Sequence, residues 1–160
     1  MSTAIPAVKR YMTKSPQSIG LAQNLAHAHK LMREHRIRHL PVLDGGILVG
    51  VISERDLHLI ETLRDVDPEK VTVEEAMTPA VYTISPDAPL DEVSREMAEH
   101  KYGSAIVLDR GKVVGVFTMT DGMRALAHLL EARRAELRSG NPRDVPRAPR
   151  RARSSLIRAS

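Results

Sequence analysis

Apolar positions along the chain follow two periods. Leu21, Leu25, Ala28, Leu31 and Met32 recur at the spacing of one helix face. Two short apolar runs follow, His39 to Leu43 and Ile47 to Ile52, separated by Asp44-Gly45-Gly46. Such a turn supplies the positive φ that a tight hairpin needs, so the spacing predicts two antiparallel strands. An extended segment, Ser15 to Ile19, is expected before the first helix, and a second helix is expected to begin near Ser53. The order read from the pattern is β-α-β-β-α.

The same order then returns. Val81 to Ile84 reads as extended. Leu90, Val93, Met97 and Ala98 read as a helix face, with Pro89 and Asp91 near its start. Ala105 to Leu108 and Val113 to Phe117 flank the turn Asp109-Arg110-Gly111. The last helix begins near Thr118 and continues through Leu126, Leu129, Leu130 and Leu137.

Sliding the chain by 65 residues explains this recurrence. Met12-Thr13 falls on Met77-Thr78, Ile19 on Ile84, Leu25 on Leu90, Met32 on Met97, and Glu34-His35 on Glu99-His100. Val42-Leu43-Asp44 falls on Val107-Leu108-Asp109, Gly46 on Gly111, Val49-Gly50-Val51 on Val114-Gly115-Val116, and Asp56 on Asp121. That makes 15 identities over positions 12–56 without a gap. The chain therefore reads as an N-terminal segment (1–10), a first repeat (11–66), an acidic linker (67–75), a second repeat (76–131) and a C-terminal stretch (132–160). One unit of this size buries little surface alone. An α/β (α+β) fold is expected, with two β-α-β-β-α repeats packed sheet to sheet as a pseudo-twofold pair. The long amphipathic C-terminal helix either covers the chain's own core or offers a face to a second subunit, as in a homodimer.

Composition narrows the class. The 42% apolar and 28% charged fractions are those of a soluble globular protein. No cysteine is present, which excludes disulfides and thiolate metal sites and fits a cytoplasmic setting. Met1 to Arg10 has no apolar core of a signal peptide, and the run Ile47 to Ile52 is far too short to span a membrane. Three Tyr and one Phe are too few for a base-stacking nucleic-acid surface. The net charge of +4 belongs to the tail. Arg138 to Ser160 holds seven Arg and one Asp, while Met1 to Leu137 holds 17 basic and 19 acidic side chains. With Pro142, Pro146 and Pro149 and few bulky aliphatics, the tail is expected to be disordered. It is either a solvated extension or an electrostatic arm for an anionic partner such as nucleic acid.

The residues now reached resemble a known family. Arg38-His39-Leu40-Pro41-Val42-Leu43-Asp44 followed by Leu48-Val49-Gly50-Val51-Ile52-Ser53-Glu54-Arg55-Asp56-Leu57 resembles the signature half of a CBS (cystathionine beta-synthase) domain. Ser104-Ala105-Ile106-Val107-Leu108-Asp109 and Val113-Val114-Gly115-Val116-Phe117-Thr118-Met119-Thr120-Asp121 repeat it. Both copies open with Met-Thr. The resemblance implies a stand-alone CBS pair with two candidate clefts between its repeats. In that family such clefts take AMP, ADP, ATP or S-adenosylmethionine and regulate a partner, and many pairs form homodimers.

The pattern Gly-h-h-[ST]-x-[ST]-Asp, with h apolar, lies where a strand runs into a helix. Free N–H groups and partial positive charge at such a helix start attract phosphate. A hydroxyl there can donate to phosphate, and a carboxylate one turn along can accept from ribose. The second repeat carries the whole set in Gly115, Thr118, Thr120 and Asp121. The resemblance implies that the first repeat supplies the facing wall, from Thr13, Ser15 and Pro16 and from His39 and Leu40. The symmetric cleft would use Ser53 and Asp56, faced by Thr78, Val81, Ser104 and Ala105. There Arg55 replaces the second hydroxyl, and its guanidinium could reach a phosphate or point to solvent. Ser53-x-x-Asp56 and Thr118-x-x-Asp121 also read as capping boxes, which stabilise a helix start with no ligand present.

Catalytic chemistry finds no support. The seven His spell no converging set of zinc ligands, and no P-loop or nucleophile motif occurs. The leading expectation is a non-enzymatic sensor that needs no cofactor, binds an adenosine ligand as regulator, and acts on an unknown protein in trans. A nucleic-acid-associated dimeric scaffold using the basic tail, and a structural dimer with degenerate sites, are the alternatives.

Overall fold

The computed structural model describes residues 4–140; the basic tail reading lies outside the described residues. The chain divides into a unit ending at Leu126 and another starting at Ala127. The first unit holds both repeats. In the first, β1 (Thr13–Lys14), β2 (Ile19–Gly20), α1 (Leu25–His35), β3 (His39–Asp44), β4 (Ile47–Ser53) and α2 (Glu54–Glu61) follow in order. After α3 (Val73–Ala76), the second continues with β5 (Thr83–Ile84), α4 (Leu90–His100), β6 (Ser104–Asp109), β7 (Lys112–Thr118) and α5 (Met119–Ser139). The expected order thus appears twice.

The local causes are legible in each element. Asn24 caps α1 by accepting the His27 N–H at 2.9 Å. Arg36, at φ 53°, ends it in the left-handed region, where the Ile37 N–H returns to the Met32 carbonyl at 3.0 Å. Gly45 (φ 54°) and Gly46 (φ 84°) turn the first hairpin, and Arg110 (φ 50°) and Gly111 (φ 76°) turn the second. The extended segments before the first helix of each repeat are shorter than the sequence suggests. Ser15 sits at φ 46°, so pairing begins only at Ile19, which runs parallel to Val42.

The two sheets exchange segments. One has the order β2-β3-β4, the other β1-β7-β6-β5. β1 comes from the first repeat but pairs antiparallel with β7 of the second, placing Thr13 opposite Val116. Thr78 pairs with Val51 of the first repeat in the same way. Each of these partners lies 65 residues from its counterpart, so the two exchanges are one pseudo-twofold relation.

The cores follow the same exchange. One cluster joins Ile19, Leu25, Ala28, Met32, Leu40, Val42, Ile52 and Leu57 with Val73 of α3. The other joins Leu90, Val93, Met97, Ala105, Val107, Phe117 and Ala125 with Val8, which lies in a short 3-10 helix (Val8–Arg10). The stretch read from sequence as a linker therefore places Val71 and Val73 in the first core, because each offers an apolar side chain that the open end of that core can bury. Among the described residues no helix is long and apolar enough to cross a membrane.

Candidate functional site

A cavity of about 650 Å³ opens between the repeats. The first repeat contributes Thr13, Ser15, Pro16 and Gln17 from the approach to β2, and His35 to His39 from the turn joining α1 to β3. The second contributes Gly103 and Val116, then Thr118 to Asp121 and Arg124 from the start of α5. Two features of the chain bring these walls together. The β1–β7 pairing carries Thr13 onto the second sheet. His39 also leans across the pair, since a Cβ at Gly103 would lie 2.9 Å from the His39 Nε2. Only glycine leaves room for that ring.

Asp121 is the best-buried polar group, with 4% of its surface exposed. Its Oδ2 accepts the Thr118 backbone N–H at 2.9 Å and the Thr118 hydroxyl at 3.0 Å. In return the Asp121 N–H donates to the Thr118 Oγ1 at 3.3 Å. This is a capping box, and it commits one carboxylate oxygen to the helix start. The other, Oδ1, accepts from the Arg124 Nη1 at 3.2 Å. Capping thus leaves Oδ1 directed at a solvent-exposed partner, since the Arg124 side chain is 73% exposed. A ribose hydroxyl can compete for that oxygen.

Burial pushes the His39 imidazole below its ordinary pKa of 6.5; the Asp56 carboxylate opposes this, Arg38 adds to it, and Glu54 opposes it. His39 is therefore a neutral ring at the cavity wall near neutral pH, able to accept or donate one hydrogen bond.

Of the residues expected at this cleft, Thr13, Ser15, Pro16, His39, Thr118, Thr120 and Asp121 line the cavity. Leu40 and Gly115 do not. Leu40 is fully buried in the first core, and Gly115 lies under Met12, where a Cβ would stand 2.5 Å from the sulfur. The set expected at the symmetric cleft is placed as follows. Ser53 and Asp56 form the capping box of α2, with the Ser53 hydroxyl 2.7 Å from Asp56 Oδ2. Arg55 is exposed in the first turn of that helix. Thr78 is held to Val51 by two backbone hydrogen bonds, of 2.8 and 3.0 Å. Ser104 pairs opposite Thr118, and Ala105 is buried in the second core. Val81 lines a separate cavity of about 280 Å³ beside Ile47, Pro79 and Leu108, which includes none of the other six. Sequence reasoning did not reach Gln17, Arg36, Ile37, Arg38 or Arg124. For Arg36, Ile37 and Arg38 the signal was the turn after α1, which chain order places beside β3 and hence beside the cleft; Gln17, ahead of β2, and Arg124, in α5, carried none.

Comparison with known proteins agrees with this architecture. CBSX2, solved in complex with AMP, superposes with a TM-score of 0.69 at 25% identity over 77% of this chain and 97% of that one. The CBS domain pair of MJ0100, solved with 5′-methylthioadenosine and S-adenosyl-L-methionine, gives a TM-score of 0.72 at 31% identity over 78% of this chain and 98% of that one. The CBS domain-containing protein YhcV of Bacillus subtilis is 28% identical over 115 residues, which is 72% of this chain and 81% of YhcV. Other curated relatives are longer, and the chain spans 23% and 31% of the length of two of them. The CBS domain matches twice, at residues 8–59 and 73–128. These two matches take in more than half of the sequence, and the chain belongs to the CBS domain family.

Proposed function

We propose that the cavity beside Asp121 binds an adenosine-containing ligand, and that this chain is a non-catalytic regulatory module acting on a partner protein in trans. One observation carries the reading. The cavity gathers hydroxyls, a helix start and a buried carboxylate from one repeat against Thr13, Ser15, Pro16 and His39 of the other. A helix start with hydroxyls suits phosphate, the Asp121 Oδ1 suits ribose once Arg124 yields it, and the backbone and Ile37 wall suits a flat base. Because the ligand would touch both repeats, it would favour one packing of the pair over another, which is the physical requirement for a regulatory signal. Neighbours solved with AMP, and with 5′-methylthioadenosine and S-adenosyl-L-methionine, support this ligand class.

The test is thermal denaturation and calorimetric titration with AMP, ADP, ATP and S-adenosylmethionine. Thr120→Val is the variant of choice, because Thr120 is exposed and lines the cavity, so the swap should leave the fold intact. Asp121→Ala is the stronger companion, although it also removes the α5 cap. A ligand at about 100 times its dissociation constant adds ~2.7 kcal/mol, a shift of several degrees. Stabilisation of the natural protein that weakens in Thr120→Val upholds the reading, whereas no response to any of the four sinks it.

A second copy of the chain is the partner we infer for α5. Met119, Met123 and Leu126 are exposed at helical spacing in the first unit. Sedimentation of Met123→Glu as a monomer, beside a dimeric natural protein, is the expected result.

A further inference from the structure

We propose that the cavity sorts adenosine ligands by the charge at their 5′ end, taking phosphorylated ones in preference to uncharged thioether or cationic sulfonium nucleosides. The inference rests on the adenosine reading above and goes on to name the ligand class.

Three arginines line the cavity, Arg36, Arg38 and Arg124, against a single acidic residue, Asp121. That carboxylate is already engaged by Thr118 and Arg124. Arg38 has only a long, exposed pairing with Glu54, at 3.6 Å with its own side chain 78% exposed. Arg36 has no acidic partner among the described residues. Its position is set by the backbone, because it is the left-handed residue that ends α1. The lining therefore carries an excess of positive charge, and the start of the 21-residue α5 adds partial positive charge to it.

The sequence repeat provides an internal comparison. Positions 65 residues away from Arg36, Arg38 and Arg124 hold Lys101, Gly103 and Leu59, and the position matching Met119 holds Glu54. Lys101 keeps a cation, and the positions matching Thr120 and Asp121 hold Arg55 and Asp56, so the matching set carries two cations against two acids, whereas this cavity carries three against one. A phosphate group meets three potential donors there, two of them free of a strong partner. A sulfonium meets like charge, and a thioether leaves the guanidiniums with nothing to bind.

The experiment is calorimetric titration of adenosine, 5′-methylthioadenosine, S-adenosylmethionine, AMP and ADP into the full chain, at low and at high salt. The natural protein is expected to bind ADP at least about tenfold more tightly than adenosine, with a gap that shrinks as salt rises. Arg36→Gln and Arg38→Gln are expected to narrow the ADP-to-adenosine ratio. Both side chains are exposed, so both variants should fold. Arg124→Gln narrows the ratio through the lost phosphate donor alone, because the Asp121 Oδ1 it releases faces the ribose that both ligands share. Adenosine or methylthioadenosine binding as tightly as ADP overturns the charge sorting while leaving the adenosine site standing. Failure of all five ligands to bind overturns the adenosine reading and this inference with it.

Discussion

Gly50 and Gly115 occupy equivalent places, and the pair offers a controlled perturbation. A Cβ on Gly115 would stand 2.5 Å from the Met12 sulfur and 3.1 Å from the Thr13 carbonyl. A Cβ on Gly50 meets the Met77 sulfur and the Thr78 carbonyl at the same two distances. The thioether can swing away, but the carbonyl belongs to the exchanged segment and moves only if that segment moves. Overpacking of this kind costs about 1–3 kcal/mol. Alanine recovers about 0.5–1 kcal/mol through the lower backbone entropy of its unfolded state. The net expectation for either Gly→Ala is a loss centred on about 1 kcal/mol and reaching about 2.5 kcal/mol, with each kcal/mol lowering Tm by about 2–4 °C for a chain of this size. Ligand binding should separate the two variants. The segment displaced in Gly115→Ala carries Thr13, which lines the cavity, whereas the one displaced in Gly50→Ala carries Thr78, which is not among its lining residues. Urea denaturation and titration with ADP on both variants measure the two effects. Equal destabilisation with weakened binding only in Gly115→Ala is the expected outcome. A gain in stability in either variant, or equal loss of affinity in both, refutes the reasoning.

Other perturbations read other parts of the same site. His39 has a lowered pKa, so between that value and 6.5 the unfolded chain holds a proton that the folded chain does not. Stability attributable to His39 is therefore complete above pH 6.5 and falls as the pH drops through it; the penalty of His39→Gln, measured by urea denaturation, should be smaller at pH ~5 than at ~7.5, and an equal penalty at both speaks against a buried neutral ring. Gly103→Ala forces a Cβ to 2.9 Å from the His39 ring, which should tilt it into the cavity and weaken nucleotide binding in calorimetry; unchanged affinity would mean that the ring is not fixed there. Ser53→Ala removes the acceptor of the Asp56 N–H and should cost about 1 kcal/mol in chemical denaturation without lowering affinity at the Asp121 cavity.

How far the sequence carried the reading depends on the range of the interaction. Hairpins and caps are local, so Gly45-Gly46, Gly111, Ser53 and Thr118 each announce their role within four residues. The repeat made the pairing of the halves legible as well, since 15 identities at one offset leave little other explanation. The exchange of segments was not legible. Val8 and Val73 look like isolated apolar residues in a terminus and a linker, and only the folded chain shows which core each one enters. The hydroxyl wall of the cavity was legible because a motif carries it. Arg36, Arg38 and Arg124 were not, because a charged side chain in a turn or on an exposed helix face looks the same whether it faces a cavity or open solvent.

The exchanged segments also set an order on synthesis. The first core draws every one of its members from the stretch between Ile19 and Met77, so it can close as soon as that stretch has left the ribosome. The second core cannot. Val8, Tyr11 and Met12 come before the first core in the chain, yet Leu90, Phe117 and Ala125, with which they cluster, come after it. The Val8 N–H waits for the Ala88 carbonyl, and Thr13 waits for Val116. A nascent chain therefore carries the stretch 8–13 undocked past a completed first repeat. The cavity, whose walls include both Thr13 and Asp121, is likewise assembled only when the second repeat follows the first.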